Sequence, residues 1–297
     1  MTLYEKIKKN FILPTAYEDW QEYRNSLTNY LIQETNHVSV PLTFHANMDE
    51  TTLLPSLAII GAGACNDIDL QTLLSHFSTI TLLDYDKEAM DTALETYHLK
   101  DCPYVECKTI SLNGLSDSHY QEFCNKLQDY IQSTSGNFTP EEFENYAIML
   151  VDDYLTSIAD YSIPLTENSY DYICCFGVHS QLQAMFSYIF HVFEVNIKEL
   201  YFPNADDFNV RFTTRLKKEN ETFIPRFHDA LLNCAKQAVF LGLEQKRTSN
   251  DEAIEGAYQA IQDINNRNVL KKETTMLWSF LPQDNIEYVM SIIKIAT

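Results

Sequence analysis

The sequence predicts an α/β protein: one mostly parallel seven-stranded sheet with an antiparallel last strand, and helices on both faces. Three observations predict it. Short continuous apolar runs alternate with amphipathic helical stretches. The first run ends in a glycine turn and the second in an acid. The last two runs are joined by a connection too short to hold a helix. Strands that are apolar without alternation suit a parallel sheet covered on both sides.

Taken in order, residues 1–35 read as helical, with Trp20, Tyr23, Leu27, Tyr30 and Leu31 at helical spacing and Pro14 as a break. The first strand is LAII at 57–60, ending at Gly61. A helix follows within 67–77, where Ile68, Leu70, Leu73, Leu74 and Phe77 make an apolar face. The second strand is ITLL at 80–83, ending at Asp84, and the third lies around 104–108. Residues 116–168 separate the third strand from the fourth by far more than an ordinary connection. They contain TPEE at 139–142, a capping box with Thr139 as N-cap, followed by an apolar helical face.

The fourth strand is YICCFG at 172–177, and a stripe from Leu182 to Phe193 continues it as a helix. The fifth strand is AVFLGL at 238–243, followed by a helix within 250–267. The sixth and seventh are TMLWSFL at 275–281 and YVMSIIKI at 288–295. Only PQDNIE joins them, so they must run antiparallel. This organisation divides the chain into an N-terminal helical cap, 1–48, and a domain at 49–297 that carries a helical insertion at about 116–168.

The most informative motif is IIGAGACND at 59–67 together with LLDYD at 82–86. Glycine is needed where the chain turns sharply at a strand end and lets a ligand approach the backbone. Gly61 and Gly63 supply this. Asp84 stands at the tip of the second strand, where a carboxylate can accept bonds from both ribose hydroxyls of an adenosine. The third glycine of a dinucleotide turn is missing, and no GxxxxGK[ST] phosphate loop occurs.

The ordered set (GAGACND, DYD, YDYICCFGVHSQL and the closing hairpin) resembles the class I S-adenosylmethionine-dependent methyltransferases, which have a Rossmann-like sheet closed by an antiparallel hairpin. The resemblance covers roughly residues 50–297. It implies S-adenosylmethionine as cofactor and methyl transfer to a small-molecule acceptor. It implies that Gly61, Ala62 and Gly63 lie under the cofactor's methionine part. Asp84 would hold the ribose, Tyr85 the adenine face, and Ser111 with Leu112 the adenine edge. Phe176, Gly177 and Val178 would lie beside the sulfonium. Three positions depart from the family pattern: Ile59 replaces an acid before the turn, Cys65 replaces the third glycine, and Ser111 replaces an acid after the third strand.

Asn66 and Asp67 follow the turn, where they either cap the next helix or meet the cofactor's ammonium group. His179 and Gln181 begin the segment after the fourth strand, where the resemblance places the acceptor. His179 is the candidate general base, and Gln181, Tyr17 and Trp20 are candidate walls of the acceptor pocket. Two other readings stay open: a cofactor-binding or scaffold protein without turnover, and a nicotinamide-dependent oxidoreductase.

Composition narrows the partners. The net charge of −21 argues against phosphate-bound nucleic acid and against anionic membrane. No apolar run reaches the length of a membrane span. Seven cysteines without a CxxC pair, and His37, His45 and His228 without ligand-spaced partners, predict no metal site. Free thiols and a start without a signal-peptide core predict a cytoplasmic protein. Oligomeric state is left open.

Overall fold

The computed structural model describes residues 1–35 and 54–297. The expected boundary at 48/49, and His37 and His45, lie outside the described residues. The chain runs α1 (Leu3–Lys9), α2 (Ala16–Asp19), α3 (Gln21–Thr35), β1 (Ser56–Ile60), α4 (Leu70–Leu73), β2 (Thr79–Asp84), α5 (Lys87–Thr96) and β3 (Val105–Thr109). It continues through α6 (Asp117–Thr134), α7 (Pro140–Ser157), β4 (Tyr170–Phe176), α8 (Ala184–Tyr201), α9 (Val210–Cys234) and β5 (Ala235–Arg247). The last elements are α10 (Ala257–Asn266), β6 (Lys271–Leu281) and β7 (Ile286–Ala296).

The strands form one seven-stranded sheet in the order β3-β2-β1-β4-β5-β7-β6. Strands β1 to β5 pair parallel, and β7 runs antiparallel to both β5 and β6. Strand β7 thus slots between its two predecessors. The continuous apolar runs are explained by burial on both faces. Leu57 and Ile59 of β1 enter one core with α3, α4 and α5, while Ala58 and Ile60 enter another with α9 and α10.

A third apolar cluster contains no strand. Tyr4 and Ile7 of α1 join Phe123 and Leu127 of α6, Phe143 and Val151 of α7, Phe186 and Phe190 of α8, and Phe212 of α9. The N-terminal helices therefore divide: α1 belongs to this helical layer, whereas Tyr23, Leu27 and Leu31 of α3 belong to the sheet. The Thr139 capping box starts α7, with Glu142 N–H donating to Thr139 Oγ1 at 3.2 Å and Thr139 N–H to Glu142 Oε2 at 2.7 Å.

Two elements differ from expectation. The helix read over 67–77 is a single turn, α4. Cys65 has φ +50° and Asp69 caps the helix by accepting Thr72 N–H at 3.0 Å, so the chain turns where helix was expected. The apolar positions were read correctly, since Ile68, Leu70, Leu73, Leu74 and Phe77 are all fully buried. The 25-residue α9 was not anticipated. Its charged first half and its internal Pro225 mask a regular apolar face of Phe212, Leu216, Phe223, Phe227 and Leu231.

Candidate functional site

Parallel strands deliver their C-terminal ends to one edge of the sheet, and the candidate site is built there. After β1 the chain bends through Gly61 at φ +67°, whose N–H donates to Leu83 O at 2.8 Å. A methyl group on Gly61 would lie 2.3 Å from Val178 Cγ2, so the β1 and β4 loops touch through this glycine. Gly63, at φ +49°, is different: a methyl group there would meet none of the described residues within 4 Å. Ala62 between them is buried. Cys65 adopts the left-handed conformation itself, a strain of about 1–2 kcal/mol for a residue with a Cβ. The Tyr97 hydroxyl lies 3.0 Å from its carbonyl and 2.7 Å from that of Ile68, tying the turn to α5.

Asp84 closes the turn from β2. Its Oδ2 accepts Gly63 N–H at 2.8 Å and its Oδ1 accepts Asp86 N–H at 2.8 Å. Burial pushes its pKa up, and the backbone N–H groups work against that rise. Each carboxylate oxygen has a further lone pair. The carboxylate is thus fixed beside the open side of Gly63 with acceptor capacity to spare, which fits the vicinal hydroxyls of a ribose.

Tyr85 is 40% exposed, with Lys8 Nζ 5.2 Å from its ring centre. Lys8 also pairs with Asp117 at 2.9 Å, and Asp117 accepts the Tyr4 hydroxyl at 2.6 Å. Burial works against the Asp117 charge, but Tyr4 and Lys8 hold its pKa below the usual range. This knot joins α1 and α6 to the tip of β2, and sequence reasoning missed both Lys8 and Asp117. Ser111 and Leu112 follow β3. The Ser111 hydroxyl donates to Leu115 O at 2.8 Å, and Leu112 packs against the core under α9 and α10. The neighbouring Ile110 N–H donates to Asp84 O at 2.9 Å, which holds this loop against the β2 tip.

Asn66 and Asp67 do not cap α4, because Asp69 does. Arg24, buried on α3, donates to Asn66 O at 2.9 Å and to Tyr17 O at 2.6 Å, and its guanidinium lies 4.1 Å above the Tyr17 ring. Tyr17 therefore covers Arg24 and packs edge-on to Tyr97. Asp67 is left free of a capping role. Burial pushes its carboxyl up to about 6, with Arg24 opposing.

At the end of β4, Gly177 (φ +64°) donates to Gly242 O at 2.9 Å. The Phe176 ring packs so closely on Gly242 that a methyl group there would lie 2.6 Å from it. Against Gly177 stand two groups that the sequence did not single out for the site. A Cβ on Gly177 would be 3.6 Å from Glu244 Oε1 and 3.9 Å from the Trp278 ring. Glu244 is buried, and its Oε1 accepts the Ser180 hydroxyl at 2.8 Å while Oε2 has no partner among the described residues. Tyr23 stacks on Trp278 at 5.2 Å, and among the described residues neither the Tyr23 hydroxyl nor the Trp278 N–H has a partner. Trp20 meets Trp278 edge-on at 4.7 Å and donates its N–H to Phe280 O at 2.9 Å. Gln181 is exposed beside this group, its amide 3.2 Å from the Ser180 hydroxyl.

His179 is placed elsewhere, and its expected role as general base needs correction. It is fully buried on the opposite side of β4, packed on Phe227. Its Nε2 is 3.0 Å from His228 Nε2, and His228 Nδ1 is 2.6 Å from Asp263. Burial lowers its pKa well below the ordinary value, and the His228 neighbour adds to this. A fully enclosed imidazole tied to α9 and α10 cannot meet an acceptor at the sheet edge. Among the described residues, no group of His, Cys, Asp and Glu is arranged to hold a metal ion, and no helix is long and apolar enough to cross a membrane.

The sheet order with β7 reversed between β5 and β6, and the glycine turn and acid at its C-terminal edge, define the class I methyltransferase fold. The sequence matches no family profile and no curated protein. Among solved structures, a SAM-dependent methyltransferase from Aquifex aeolicus is 11% identical over 100% of both chains, with a TM-score of 0.44. The N-methyltransferase NodS from Bradyrhizobium japonicum, in complex with S-adenosyl-L-homocysteine, is 10% identical over 99% of this chain and 97% of its own, at 0.46. The magnesium protoporphyrin IX methyltransferase ChlM from Synechocystis with bound SAH is 10% identical over 99% and 92%, at 0.44. Likenesses this distant carry no residue roles to this chain.

Proposed function

We propose that this protein binds S-adenosylmethionine and transfers its methyl group to a small-molecule acceptor. The observation that carries the reading is the Asp84 carboxylate, held by two backbone N–H groups beside the open side of Gly63 with acceptor positions to spare. Asp84 would grip the ribose, and Tyr85 with Ser111 and Leu112 would flank the adenine. Gly61 to Gly63 and Gly177 would bound the methionine part, with Asp67 facing its ammonium. When bound, this cofactor supplies a methyl carbon on a sulfonium, to which the acceptor's lone pair bonds as the carbon–sulfur bond breaks and leaves its electron pair on sulfur.

The protein's part is alignment. Holding two reactants in a near-attack geometry contributes on the order of 7–11 kcal/mol, so neither a metal nor a triad is required. The acidic surface supports a small acceptor over a nucleic acid, and seven free thiols support a reducing, cytoplasmic setting. The test is incubation with methyl-labelled S-adenosylmethionine and a small-molecule extract. Label that passes to an extractable product, with S-adenosylhomocysteine formed in equal amount, supports the proposal. Tight cofactor binding with no transfer to any acceptor identifies a binder without turnover. Binding of NADH in place of either cofactor form overturns the reading.

A further inference from the structure

Resting on that reading, we infer that the acceptor is an amine, recognised by Glu244 in a nest closed by Tyr23, Trp278 and Ser180 at the end of β4. Four observations converge on this nest. Glu244 is 4% exposed, and one of its two oxygens has no partner among the described residues. The Tyr23 hydroxyl and the Trp278 N–H, in residues 4% and 7% exposed, are also without a partner among the described residues. All three side chains come from different elements, α3, β5 and β6, and the Glu244 and Trp278 side chains both flank Gly177. The Tyr23 and Trp278 rings lie face to face at 18°, an aromatic surface beside a carboxylate.

A buried polar atom without a partner costs free energy that folding ordinarily avoids. Three of them in one place at the edge of the proposed cofactor site mark a site whose partners arrive with a ligand. The chemistry of the set selects the ligand. A carboxylate offers an acceptor and a negative charge, which a cationic donor matches. The nearest positive charge on α3, Arg24, is already engaged by the carbonyls of Tyr17 and Asn66. Asp67 adds a second negative charge, which the Tyr23 hydroxyl and Glu244 both feel. A protonated amine satisfies the Glu244 oxygen and the Tyr23 hydroxyl oxygen, while the Trp278 N–H, a donor only, calls for an acceptor atom elsewhere on the same ligand. An acidic or phosphorylated acceptor would be repelled, and a neutral alcohol would leave the charge unmatched.

Glu244 then has a second task. An ammonium must lose one proton before its nitrogen is a nucleophile. The Glu244 carboxylate accepts that proton from nitrogen and passes it to water after transfer. Burial raises the Glu244 pKa, against the bond from Ser180, and that makes it a stronger base than a carboxylate in water. His179, enclosed on the other side of β4, is not available for this step.

The experiment is calorimetric binding of 2-phenylethylamine and of 2-phenylethanol, its neutral counterpart, to the protein saturated with S-adenosylhomocysteine. Saturation accounts for the cofactor's own ammonium group. The expected result is a preference for the amine of about tenfold or more, as a charge-assisted bond supplies. The preference is lost in Glu244→Gln and partly kept in Glu244→Asp, with S-adenosylhomocysteine affinity unchanged in both. Equal binding of amine and alcohol by the wild type, a preference that survives Glu244→Gln, or weakened S-adenosylhomocysteine binding in Glu244→Gln overturns the amine site. Absence of S-adenosylhomocysteine binding, with the amine preference intact, overturns the cofactor reading and leaves the amine site standing.

Discussion

Asp84 holds a backbone N–H on each oxygen, one from its own strand end and one from the neighbouring turn. This position was legible in the sequence because its neighbours in space are its neighbours in the motif: a glycine turn, a helix and a strand ending in an acid. Glu244 was not legible. It follows an apolar run as any surface acid would, and its meaning depends on β4, β5 and β6 bringing Gly177, Glu244 and Trp278 together. No local spacing records that order. His179 shows the converse error. Its place in the sequence after β4 was right, but a 3₁₀ turn, His179–Gln181, sends its ring inward to His228. His179→Ala is therefore expected to leave S-adenosylhomocysteine affinity unchanged while lowering stability by about 2–4 kcal/mol, from the cavity and the orphaned His228. Denaturant unfolding and calorimetry on one variant check both halves.

Asp67 gives a residue-scale prediction with a sign. Its carboxyl has an ordinary pKa of 3.8 in the unfolded chain and about 6 in the fold, because burial disfavours the charge. The folded state holds this proton more tightly. The group's favourable contribution is therefore complete below about pH 4 and is lost as pH rises through 6. Asp67→Asn removes that dependence, so the variant gains roughly 2–3 kcal/mol over wild type between pH 4 and pH 8. Urea unfolding at the two pH values measures it, and a gain confined to low pH contradicts the assignment.

At the scale of elements, the turn after β1 contains two glycines with different duties. Gly61 has no room, since a Cβ would lie 2.3 Å from Val178, while Gly63 faces open space. Gly61→Ala is expected to unfold at markedly lower denaturant, by about 2 kcal/mol or more once the clash adds to left-handed strain. Gly63→Ala meets only the strain, about 1–2 kcal/mol, yet places a methyl group where the cofactor would lie. It should keep most of its stability and lose most of its affinity for S-adenosylhomocysteine. The two variants together separate a structural glycine from a ligand-facing one. Strands were easier to read than helices here. A strand buried on both faces announces itself as an apolar run, whereas α4 was shortened by turn geometry at Cys65 and Asp69, and α9 was hidden by its charges.

At the scale of the molecule, three apolar clusters among the described residues divide the work. Two cover the faces of the sheet and fix its C-terminal edge. The third, built from α1 and α6 to α9, reaches that edge through the Lys8–Asp117–Tyr85 contacts. The seven-stranded sheet and its closing hairpin were readable from run lengths and from the short PQDNIE connection. The helical layer was readable as an insertion, but its partnership with α1 was not, because α1 and α6 lie more than a hundred residues apart and share no motif. A ligand that binds across these elements must stabilise all of them together, by about 2.7 kcal/mol at a hundredfold excess over its dissociation constant.

The central claim is that Asp84 and the open side of Gly63 receive the adenosine of S-adenosylmethionine. Calorimetric titration of wild type and of Asp84→Ala with S-adenosylhomocysteine tests it most directly. Saturable one-to-one binding by wild type is predicted, weakened by about 10- to 100-fold in the variant, as loss of hydrogen bonds to a charged group requires. No binding by wild type at millimolar concentration, or equal affinity in the two proteins, contradicts it.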